Sequence, residues 1–182
     1  MDDDLRQLIE RVLADIARSA DAYLGQRLSR HEWARQMART IGDGHRDAYR
    51  LGTGTKDMDP AARAYLAQTI AAQVKYLTGF AQDLRREDMS AALMKARAAL
   101  YAGALKGTYY RARFWPWDLP FVPTEGSECM VNCTCTIDVT DAGDGTGLMA
   151  WTLGEHAHAE TCPTCLDRAD KSPFSVKKRK VT

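Results

Sequence analysis

Cys129-Met130-Val131-Asn132-Cys133-Thr134-Cys135-Thr136-Ile137-Asp138-Val139-Thr140 is the stretch on which the reading of this chain turns. Its first half is a cysteine cluster and its second half alternates in period two, Thr136, Asp138 and Thr140 against Ile137 and Val139. That alternation predicts a half-buried strand. Asp141-Ala142-Gly143-Asp144-Gly145 carries turn chemistry, and Leu148 to Leu153 supplies a returning strand. The prediction is a β-hairpin whose base begins in the cysteines. A lone hairpin buries too little apolar surface to be stable, so the module needs another source of stability.

The cysteines offer one. All five lie between Cys129 and Cys165, and Cys162-Pro163-Thr164-Cys165 follows the first cluster after a gap of 26 residues. Thiolates are soft anionic ligands suited to Zn²⁺, and two separated clusters can close one tetrahedron. Cys162, Cys165 and Cys133 are the firmest ligands. Cys129 and Cys135 compete for the fourth place, and Cys133 and Cys135 share a face if their segment is extended. His156 and His158 can substitute, although a histidine in a polar loop is first of all a solvated one. An odd cysteine count and the absence of secretory context speak against disulfides, and the clustering speaks against scattered core thiols. A thiolate-rich set favours a structural site over a catalytic one, which keeps an open position. Thr161, not a proline, precedes the Cys-x-x-Cys, so the deaminase pattern is not met, and Walker, G-x-S-x-G and dinucleotide motifs are missing, so no enzyme is expected.

Outward from the cysteines the pattern changes on both sides. Leu166 to Lys171 reads as a short helix, and Lys177-Lys178-Arg179-Lys180 as a basic, disordered tail able to touch phosphates without sequence preference. Phe114 to Pro123 holds three prolines and four aromatic residues, which predicts an extended strap whose rings pack on its neighbours. Residues 5–28 carry an apolar helical stripe, Leu5, Leu8, Ile9, Val12, Leu13 and Ile16 among them. Ser29 and Glu32 form a capping box for a second helix, weakened at Gly42 and Gly44, where a kink or break is expected. Asp59-Pro60 opens a third helix and Ser90 a fourth, which frays near Gly107. The fold class expected is mostly α: an antiparallel helical bundle over residues 1–113, a strap over 114–128, a zinc-binding β-hairpin module over 129–172 and a disordered tail over 173–182. The helical and metal-bound parts are expected to hold their stability separately.

The 182 residues carry a net charge of +1, which names no partner. No apolar run approaches the ~20 residues of a membrane helix. The acidic start, Met1-Asp2-Asp3-Asp4, is the opposite of a targeting peptide, so a reducing cytoplasm is the expected setting.

Several stretches resemble those of tailed-phage minor head proteins, the head morphogenesis or Mu F-like family. They are Leu119-Pro120-Phe121-Val122-Pro123, Gly126-Ser127-Glu128-Cys129, Asn132-Cys133-Thr134-Cys135, Trp151-Thr152-Leu153-Gly154 and Glu160-Thr161-Cys162-Pro163-Thr164-Cys165. Phe80-Ala81-Gln82-Asp83 before a Ser-initiated, Ala- and Arg-rich helix looks similar too. The resemblance implies a low-copy assembly protein, in the host cytoplasm during assembly and then in the virion head. Its partners would be portal, capsid or scaffold proteins, with packaged DNA contacted non-specifically and no membrane. The competing reading is a nucleic-acid-binding zinc module, supported by the tail with Arg85, Arg86, Arg111 and Arg113.

Overall fold

Helices dominate because the apolar stripes have partners. A computed structural model describes residues 2–86, 89–126, 132–154 and 162–179. Five helices come first: α1 (Asp3–Leu24), α2 (Arg30–Thr53), α3 (Pro60–Arg86), α4 (Ala91–Gly103) and α5 (Leu105–Arg113). α1 buries Leu5, Leu8, Val12, Ile16 and Ala20. α2 starts at the expected capping box, with the Ser29 side chain accepting from the Glu32 amide and Glu32 reaching back to the Ser29 amide. The Asp59 carboxylate caps α3 by accepting from the Ala62 amide at 2.7 Å. The tyrosine ring of Tyr23 meets Trp33 at one end of the α1–α2 pair and Arg11 meets Asp47 towards the other, so these helices are antiparallel. α2 and α3 are antiparallel too, because Trp33 packs edge-on against Phe80 while Tyr49 and Leu66 share a cluster at the opposite end.

Two helix expectations need correction. α2 runs without a break through Gly42 and Gly44. A Cβ on Gly44 would press within 3.2 Å of Leu105 and 3.3 Å of Val12, so this glycine serves close packing. The fourth helix breaks earlier than expected, at Ala104, and a fifth then passes through Gly107 to Arg113. Gly107 sits where a Cβ would come within 2.6 Å of the Thr124 hydroxyl, which makes it the contact between α5 and the strap. On α4 the buried face is Met94, Ala98, Tyr101 and Ala102, while Leu93 and Leu100 are 50% and 45% exposed.

The strap seats its rings on both sides. Phe114, Trp117, Leu119 and Val122 are buried. Trp115 stacks among Tyr49 and Tyr65 and donates to Asp59, while Phe121 packs against Trp151 and Phe174. Beyond it the expected hairpin forms from β1 (Thr136–Asp141) and β2 (Thr146–Thr152), with Ile137 opposite Trp151 and Val139 opposite Met149. Helix α6 (Pro163–Lys171) follows.

The disordered tail is the third correction. Phe174–Lys177 forms β3, antiparallel to β2, in a sheet ordered β1-β2-β3. Val176 is buried, which gives the segment an apolar anchor that its run of basic residues hides. Two of the basic side chains also have partners: Lys178 pairs with Asp141 at 2.5 Å, and Arg179 lies 4.3 Å over the Trp115 ring, while Lys180 lies outside the described residues. The strap borders the same strand, with Asp118 donating to the Lys177 carbonyl and Arg179 to the Pro116 carbonyl. Buried residues of the helices and of the cysteine-bearing segments belong to one hydrophobic cluster, from Leu5 through Leu105 and Val122 to Cys135, Trp151 and Val176.

Candidate metal centre

Two chain segments deliver the thiols. Cys133 and Cys135 lie just before β1, separated by one residue, so an extended backbone turns both side chains the same way. Cys162 is the N-cap residue of α6 and Cys165 lies in that helix's first turn. Pro163 suits the first helical position, where no amide partner is needed. All four are reduced and buried, between 1% and 5% exposed.

Cys133, Cys135 and Cys165 converge, their sulfur atoms all lying within 4.8 Å of one another. The Cys133 and Cys165 sulfurs are 3.9 Å apart. A tetrahedral site with metal–sulfur bonds of about 2.3 Å has edges of about 3.8 Å, so this pair already spans one edge. These three thiols can hold a metal ion. Cys162 is buried nearby in sequence, on the same helical turn as Cys165. Cys129, His156 and His158, also considered as ligands, lie outside the described residues.

The Cys133 and Cys135 thiols shift each other in opposite directions. The Cys133 thiol donates towards Cys135, and that bond holds the Cys135 pKa below the usual thiol value. The same bond, with burial second, pushes Cys133 well above it. An ion with free coordination sites would take the place of such protons.

Three residues build the surroundings, and two of them, Lys106 and Arg168, no sequence pattern singled out. Lys106 of α5 is 3% exposed, and its Nζ donates to the Cys133 carbonyl at 2.8 Å. A buried ammonium is costly unless it is hydrogen-bonded and faces compensating charge, and a thiolate-rich site carries such charge. Arg168 of α6 lies 4.1 Å over Phe121 and 5.0 Å over Trp151, and donates to the Glu125 carbonyl, so it fastens α6 to sheet and strap. Gly154 packs against the Thr134 backbone so closely that any Cβ would collide with it. Lys106 stands in a nine-residue helix of which seven residues are buried, a burial that only the tertiary contacts reveal.

Two open grooves of about 710 and 520 Å³ are lined by the helical half and contain no cysteine. No helix among the described residues is long and apolar enough to cross a membrane. Comparison with protein-family models, curated proteins and solved structures finds no match to this chain.

Proposed function

We propose that this chain is a structural assembly protein of a tailed-phage head, that one Zn²⁺ held by thiolates clamps its C-terminal module, and that it catalyses no reaction of its own. The observation that carries the reading is the convergence of Cys133, Cys135 and Cys165 inside a continuous core. Thiols buried to this degree leave no approach for a substrate, which suits a closed site. Zinc fits because it prefers four soft ligands in a tetrahedron and brings no redox chemistry to a core. Cys162 or Cys129 completes the set. The phage-head assignment rests on the resemblance of the cysteine, strap and Trp151 motifs, and the portal, capsid or scaffold partners come with it.

Contact with packaged DNA is the weaker part. Lys178 and Arg179, two of the cations expected to reach it, are engaged with Asp141 and Trp115. No further observation favours the nucleic-acid-binding alternative.

Two measurements test the proposal separately. Elemental analysis of protein purified without added metal should give about one zinc per chain, lost in a Cys135→Ser, Cys165→Ser double variant. Folded, reduced and metal-free wild-type protein would remove the clamp. Antibody against the chain should detect it at low copy in purified proheads or heads from the phage encoding it. Absence from both would remove the assembly role while leaving the zinc result intact.

A further inference from the structure

The third helix is anchored at its two ends and less so between them. Leu77 and Phe80 enter the main core, and Ala62 and Leu66 a separate cluster with Tyr49 and Ala112. Beside the second anchor a groove of about 520 Å³ lies between α2 and α3. Its apolar lining is Met58, Leu66, Ala67 and Ile70. Arg46, Arg50, Lys56 and Arg63 supply its cations, and Asp57 is its one acidic residue. Arg46 and Arg50 hold exposed i,i+3 partners, Asp43 and Asp47. Such pairs are worth little and exchange readily for a better partner. Lys56 and Arg63 are exposed and make no ion pair among the described residues.

We infer that this groove is a docking site for an acidic amphipathic helix of a partner protein. Both halves of the surface are used by that occupant: apolar residues at helical spacing meet Met58, Leu66 and Ile70, and flanking carboxylates meet the four cations. A nucleic-acid backbone would satisfy the cations alone and leave the apolar lining without a partner. The inference concerns the helical half and does not depend on the metal centre.

Calorimetric titration of the full chain tests it with three probes. They are a synthetic helix with leucines at every third or fourth position and glutamates between, its lysine-for-glutamate counterpart, and a mixed-sequence DNA duplex. The acidic helix should bind, more weakly as salt rises, and should raise amide-exchange protection on the facing parts of α2 and α3. A Lys56→Glu, Arg63→Glu double variant and an Ala67→Glu variant, all at exposed positions, should each weaken it by about tenfold or more. Equal binding of the acidic and basic helices would overturn the inference, as would protection elsewhere or indifference to both variants. Preferential binding of the duplex, lost in the same variants, would overturn it in favour of nucleic acid.

Discussion

His45 is fully buried in α2, with Nδ1 2.7 Å from the Thr108 hydroxyl of α5 and Nε2 without a partner among the described residues. Burial disfavours its charged form and lowers its pKa from 6.5 to about 4. The unfolded chain therefore binds a proton that the folded chain refuses. The stability tied to this residue is complete above pH 6.5 and is lost as pH falls towards 4. A gap of that size corresponds to roughly 3 kcal/mol. Denaturant titrations should show stability falling across this window in the wild type, and His45→Leu should flatten the fall. An unchanged slope would assign the acid sensitivity to other groups. Lys106 makes a second prediction at the same scale. Lys106→Met strips the Cys133 carbonyl of its donor, at a cost of about 1–3 kcal/mol. With the proposed zinc bound, its transfer to a competing chelator should then be several-fold faster than in the wild type. Lys106→Arg keeps the charge but changes the reach, so it separates the hydrogen bond from the electrostatics.

Among the elements, β3 differs most from its sequence-based expectation. Deleting residues after Ser175 removes Val176, half of the β2–β3 pairing and the cations that meet Asp141 and Trp115. Burial of one valine alone is worth about 1.5–3 kcal/mol. The truncated chain should melt measurably lower than the full chain, and equal melting temperatures would return β3 to the status of a tail. The contrast with the hairpin explains what could be read. β1 and β2 announce themselves by alternation and a Gly-rich turn, whereas β3 offers four residues, Phe-Ser-Val-Lys, beside a charge run that outweighs them. The helices were legible because their stripes and caps are local: Ser29, Asp59 and Ser90 all cap as expected. Gly44 and Gly107 misled because a glycine's cost is local while its reason, close approach of another element, is not. The thiol cluster was legible as a set of residue types. Lys106 and Arg168 were not, since only tertiary contact separates a buried cation from a solvated one.

At the scale of the whole molecule the continuous core changes what the metal should do. Reading the sequence suggested two halves with separate stabilities, yet Cys133, Cys135, Cys162 and Cys165 share a buried cluster with Leu105, Tyr110 and the strap. Chelation should therefore lower the melting of the entire chain, with helical and tertiary circular dichroism lost in one coincident transition. Helical signal that survives after the tertiary signal has gone would restore the two-part description. The same architecture has an optical consequence. Of the four tryptophans, Trp33 is sealed in the helical core against Phe80. Each of the other three lies beneath a different cation: Trp115 under Arg179, Trp117 under Lys178 and Trp151 under Arg168. Intrinsic emission is thus divided among four fixed stations, and replacing one cation by glutamine perturbs one fluorophore. The chain carries its own reporters, Trp151 near the thiols, Trp117 at the β3 border and Trp115 beside the α2–α3 end cluster, so events at these places can be told apart without attaching a dye.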